Sequence, residues 1–136
     1  MYERVKSDIL GKEYSLSLAF ISSKRSREIN KKYRGVDKPT NVLAFPYSRQ
    51  EGEILLTPSV IGKEAQALGK SQKEWERYLV IHGMLHLKGM RHGSKMEEAE
   101  EKYSQKHATK HLYRNSSWLR DGASRSRRIS KRREIS

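Results

Sequence analysis

The sequence predicts a single compact α+β domain, a small β-sheet packed against about four helices, with its chemistry on a central buried helix. Three observations carry that expectation. The chain has 136 residues, enough to bury one core and too few for two. Tyr14 to Ile21 places Tyr, Leu, Leu and Phe at even positions and Ser, Ser, Ala and Ile at odd ones, the period of a half-buried strand. Tyr78 to Leu87 is apolar nearly all the way round a helix, which marks an element buried on every side.

Taken in order, the strand at Tyr14 to Ile21 is followed by Ser22 and Ser23, which cap a helix running to about Tyr33. Ile29 and Tyr33 give that helix an inward face, Arg34 sits at its C-terminus and Gly35 ends it. Lys38-Pro39-Thr40 breaks the chain before a second short strand, Asn41 to Phe45, which Pro46 is expected to close. Glu53 to Leu56 reads as a third strand. Thr57 and Pro58 then supply the N-cap and first residue of a helix to Leu68, with Ile61, Ala65 and Leu68 as its apolar stripe and Gly69 as its stop. Ser71 and Glu74 form a capping box that opens the central helix, which runs through Trp75 to about Lys88. A last helix from about Ser94 to His111 puts Glu97, Glu98, Glu100 and Glu101 early and Lys102, Lys106 and Lys110 late, as the helix dipole favours, with Met96, Ala99 and Tyr103 facing the core.

The folded domain is expected over residues 1–113, and the basic segment 114–136, with little to bury, is expected to be disordered. Net charge is +13, from 29 Lys and Arg against 16 Asp and Glu. Eight basic and two acidic residues from Arg114 onward account for +6 of it, so the domain itself carries +7. Such a balance favours a polyanionic partner such as nucleic acid. Cysteine is absent, which excludes disulfides and thiolate metal ligands and fits a cytosol-like compartment. No run reaches the length of a membrane span, and Met1 to Leu10 lacks the apolar core of a signal peptide.

The stretch with the most chemistry is His82 to His92, where three imidazoles fall inside eleven residues. His82 and His86 are four apart, so they stack on one helix face and can reach one ion. Gly89 can take a positive φ, ending the helix and returning His92 as a third ligand. Three histidines leave a fourth position open, the mark of a catalytic rather than a structural zinc. In zinc proteases with this spacing a glutamate follows the first histidine as general base; here that residue is Gly83, and peptide hydrolysis is disfavoured. His107 and His111 repeat the spacing among Lys106, Lys110 and Arg114 without a third partner, and are read as exposed.

Two blocks resemble the YbeY endoribonucleases, a family acting in bacterial and organellar ribosomal RNA maturation. Asn30 to Pro46 is similar to the family's Asn-x-x-Tyr-Arg-Gly-x-Asp-Lys-Pro-Thr-Asp-Val-Leu-Ser-Phe-Pro, and the histidine block is the second; Gly52-Glu53-Ile54 also resembles a family strand. The resemblance implies a three-histidine zinc site at His82, His86 and His92, an essential arginine at Arg34, and an α+β fold with a mixed sheet. Three positions depart from the pattern. Met90-Arg91 stands for Tyr-Asp, Asn41 for Asp and Ala44 for Ser. Loss of a carboxylate near a ligand histidine is expected to weaken metal binding or activity by about 10 to 100-fold. The family also has a strand and most of a helix ahead of the segment that begins near Tyr14.

The leading expectation is therefore a zinc-dependent endoribonuclease preferring single-stranded RNA, bacterial cytoplasmic or organellar, with the ribosome or ribosomal proteins as further partners. In it Arg34 clamps a phosphate through its planar pair of donors. A non-catalytic RNA- or ribosome-binding protein with a structural zinc is the alternative from another class, and metal-dependent hydrolysis of another substrate is the third. The Arg120 to Ser136 tail is expected to add RNA affinity through charge alone.

Overall fold

A computed structural model describes residues 2–91 and 93–107. The chain begins with a short helix, α1 (Glu3–Ile9), that buries Val5 and Ile9. Strand β1 (Ser15–Phe20) leads to α2 (Ser23–Arg34), β2 (Val42–Ser48) and β3 (Glu51–Leu56). Three helices finish the fold: α3 (Pro58–Leu68), α4 (Gln72–Leu87) and α5 (Ser94–Lys106). The sheet has the order β1-β3-β2, with β1 parallel and β2 antiparallel to β3. This is the expected small mixed sheet, with five described helices instead of about four.

Local chemistry sets most boundaries. Ser22 Oγ accepts from the Arg25 backbone N–H at 3.1 Å and opens α2, and Gly35 closes it at φ 72°. The Ser71–Glu74 capping box forms in both directions at the start of α4, at 3.1 and 3.0 Å. One expected boundary is corrected, and one element is added. Strand β2 does not stop at Pro46 but runs on to Ser48, with a register shift between these two residues. It lies at the sheet edge, where a residue lacking an N–H costs little. Helix α1 was not anticipated, because seven residues with two apolar positions carry almost no pattern and its stability comes from packing on α4.

The two faces of the sheet are covered unequally. One face sends Leu16, Leu18, Val42, Ala44, Ile54 and Leu56 into a core shared with α1, α3, α4 and α5, where Trp75, Leu79, Ile81, Met84 and Met96 are almost wholly buried. The other face sends Leu43 and Leu55 against Ile29 of α2, with Ala19, Ile21 and Phe45 around them. Helix α4 lies so close to the sheet that a Cβ at Gly83 would stand 3.0 Å from Ile54 Cδ1. A glutamate at that position, as in the proteases, would be driven into β3.

Candidate metal centre

Helix α4 reaches the site with its two histidines on one side. His82 is buried and His86 half-buried, and their Nε2 atoms converge to 3.0 Å. The rings are nearly perpendicular at 79°, with centroids 4.6 Å apart. Two ligand nitrogens, each about 2.0 to 2.1 Å from a tetrahedral ion, lie about 3.3 Å from one another, so this pair fits a shared metal.

His82 is held from behind. Its Nδ1 pairs with Glu100 Oε2, and the other carboxylate oxygen accepts from Tyr78 Oη at 2.7 Å. Glu100 is 2% exposed and Tyr78 3%. A proton shared on the Nδ1 side leaves the Nε2 lone pair for a cation, the orientation a carboxylate gives to ligand imidazoles. Burial, and after it the Glu100 charge, push the Tyr78 hydroxyl far above its ordinary pKa, so it remains a donor at any working pH.

Glu100 corrects the sequence reading. It was grouped with its acidic neighbours as a partner for the α5 dipole, yet it faces the core four residues after Met96. It also gives His82 a carboxylate partner that the sequence reading did not assign, whereas the expectation tied to Arg91 concerns the neighbour of His92, which lies outside the described residues. The legible signal was its position: a glutamate at i+4 from a buried methionine sits on the inward stripe.

The chain past His86 turns as expected. Met90 N–H donates to Leu85 C=O at 3.0 Å, and Gly89 takes φ 101°. Arg91 is exposed. The third histidine, His92, lies outside the described residues, as do His111 and the basic tail. His107 does not stay exposed: its side chain is 13% accessible, and its Nε2 is 2.7 Å from Asp8 Oδ2.

Arg34 is the last residue of α2, half-buried, with its Nη1 atom inside the protein. The loop after it is stapled back to the same helix. Asn30 Nδ2 donates to Lys38 C=O at 2.8 Å, Ser26 Oγ donates to Thr40 C=O at 3.0 Å, and Arg27 bonds Asp37 at 2.7 Å. These ties fix the backbone that carries the guanidinium. Asn41 follows directly, fully buried, and its Nδ2 donates to Glu64 Oε1 at 2.8 Å, which also accepts from Trp75 Nε1 at 3.0 Å. An aspartate at 41 would oppose the Glu64 carboxylate, so the amide suits this chain's own network.

These observations define an α+β domain whose buried central helix presents a carboxylate-oriented histidine pair suited to a transition metal. Comparison with known proteins narrows the class. The family model described as Endoribonuclease YbeY matches residues 2–113, and the chain belongs to that family. Endoribonuclease YbeY of Colwellia psychrerythraea is 37% identical over 95 residues, covering 65% of this chain and 61% of the relative. That of a Chelativorans species is 39% identical, covering 63% and 58%. That of a Sulfurihydrogenibium species is 32% identical over 105 residues, covering 72% and 69%. The chain thus spans about three fifths of the length of the first two. A Thermotoga maritima protein solved in solution has the same fold at a TM-score of 0.57 and 29% identity, over 76% of this chain and 79% of that one. No helix among the described residues is long and apolar enough to cross a membrane.

Proposed function

We propose that the protein is a zinc-dependent endoribonuclease that cuts single-stranded RNA, with ribosomal RNA as substrate and the ribosome as the setting. The observation that carries the reading is the convergence of His82 Nε2 and His86 Nε2, with Glu100 fixing the first ring. His92 completes the ligand set in this proposal. When bound, zinc supplies Lewis acidity toward a phosphoryl oxygen.

The remaining work falls to the chain's own groups. Glu100 and Tyr78 keep the Nδ1 side of His82 bonded, so that ring neither rotates nor changes tautomer during turnover. The apolar walls of α4 keep water from the back of the site, where the electrostatic pull of a positioned donor is strongest. Arg34 binds a phosphate of the RNA and offsets the charge that builds as the phosphorus becomes five-coordinate. Gly83 leaves no carboxylate beside the first ligand, consistent with a phosphodiester rather than a peptide as substrate.

Elemental analysis and an RNA cleavage assay test this together. The expected result is one zinc per chain, with both zinc and cleavage lost in His86→Ala. Zinc without cleavage would make the protein a binder, and no transition metal in chelator-free preparations would remove the site.

A further inference from the structure

The face of the sheet opposite the histidines is left partly uncovered. Beyond Leu43 and Leu55 the next row across the strands is Ser17, Glu53 and Phe45. A groove of about 520 Å³ opens over it. Arg25, Ile29 and Tyr33, each four residues from the next, form the wall on α2, and Tyr47 forms part of the rim on β2. Tyr33 and Tyr47 are 58% and 60% exposed, in a groove whose floor is Ala19, Leu55 and Phe45. Large aromatic rings standing in water beside an apolar floor mark a surface that takes a partner.

Charge selects the occupant. Helix α2 carries Lys24, Arg25, Arg27, Lys31, Lys32 and Arg34 against a single Glu28. A second copy would bring the same positive helix, and the chain's own segment from Arg114 onward is also strongly basic, so both are repelled. The groove wants a polyanion that carries flat apolar faces. We propose that it is a stacking platform for single-stranded nucleic acid, with bases on Tyr33 and Tyr47 and the phosphate backbone along α2. This rests on the endoribonuclease reading only for its choice of RNA as the biological strand.

The local geometry fits that use. The Tyr33 and Phe45 rings meet edge to face at 5.6 Å, which steadies Tyr33. Lys32 Nζ lies 5.4 Å from the Tyr33 centroid, placing an ammonium where the phosphate of a stacked nucleotide would pass. Tyr47 Oη donates to Glu53 at 2.6 Å, so that ring is held before a base arrives. The Glu53 carboxylate is the groove's acidic group, and it steers the backbone toward α2 and away from the strands. Tyr33 directly precedes Arg34, so a strand stacked there leads toward the proposed phosphate clamp.

Fluorescence anisotropy with a labelled oligothymidylate, which an endoribonuclease leaves intact, tests the platform on the full chain. Tyr33→Leu and Tyr47→Ala are each expected to weaken binding by about tenfold, the loss of one stacked base. Affinity for inorganic polyphosphate should hold, and Tyr33→Phe, which keeps the ring, should bind as the wild type does. Unchanged oligothymidylate affinity in the Leu/Ala double variant would overturn the proposal. So would an equal loss of polyphosphate binding, a loss with Tyr33→Phe, or sedimentation showing a dimer that the double variant breaks. Binding through these rings by a chain that cuts no RNA would keep the platform and sink the nuclease; RNA cleavage with unaltered oligothymidylate binding would do the reverse.

Discussion

Toward α4 the sheet is covered by four helices, and three ionisable groups that go under on that side, His82, Tyr78 and Glu100, are bonded to one another. Toward α2 it is covered by one helix, and rings remain in solvent beside cations. The same three strands therefore support opposite environments. A closed face holds an imidazole in one orientation and keeps water off its back, as a metal ligand requires. An open face with a basic wall can accept a polymer of no fixed sequence. Strand alternation makes this division possible, since Ile54 and Leu56 go to one side while Glu53 and Leu55 go to the other.

Arg34 is where the two faces would meet in function, because it ends the helix that covers the open side yet is proposed to act on the phosphate cut at the metal. Arg34→Ala should lower cleavage by about 10² to 10³-fold, the usual effect of removing one donor from a charge-stabilising site. Arg34→Lys should recover only part of that loss, since an ammonium keeps the charge without the planar fork. Zinc content should be unchanged in both variants. Full cleavage in Arg34→Lys and Arg34→Ala would separate the open face from the chemistry.

On the closed face the sharpest change is Glu100→Gln. The amide keeps the shape but presents a dipole in place of a full charge to His82 Nδ1, and zinc affinity should fall by about 10 to 100-fold. A competition titration against a chromophoric chelator measures this directly. Unaltered affinity would mean that the carboxylate only fills its pocket.

Much of the fold was legible because its boundaries are made by local chemistry. Ser22, Gly35, Pro58, Gly69 and the Ser71–Glu74 box act within a few residues of where they sit, so α2, α3 and α4 could be bounded from sequence. What was misread depended on distant neighbours. Pro46 stops a central strand but not an edge one, and the edge is a property of the sheet. Helix α1 owes its order to α4, and its Tyr2 Oη reaches Glu76 at 2.6 Å, 74 positions away in sequence. Spacing identified His82 and His86, whereas Arg34 came forward through its resemblance to a family motif. Glu100 was hidden by its own neighbours, since Glu97, Glu98 and Glu101 make it look like one member of a solvated run.

The smallest expected effect is at the rim, where α1 is tied to the end of α5. Asp8 Oδ2 accepts from Lys106 Nζ at 2.8 Å and pairs with His107 Nε2 at 2.7 Å. The Lys106 bond first, and the His107 bond after it, hold the Asp8 carboxyl below the usual carboxylate range. A group whose pKa is depressed on folding adds stability above its unfolded value and loses it as pH falls through its folded one. The contribution is thus present at neutral pH and disappears on acidification below about pH 4, where an unfolded Asp takes up its proton. Lys106 is exposed, and salt screens the charges. Asp8→Asn should therefore lower the melting temperature slightly at neutral pH and low salt. The gap should close both on adding salt and on acidification. A gap that persisted in acid and in high salt would show that Asp8 holds α1 by packing rather than by charge, and would add the rim to the closed face instead of leaving it a solvent-screened tie.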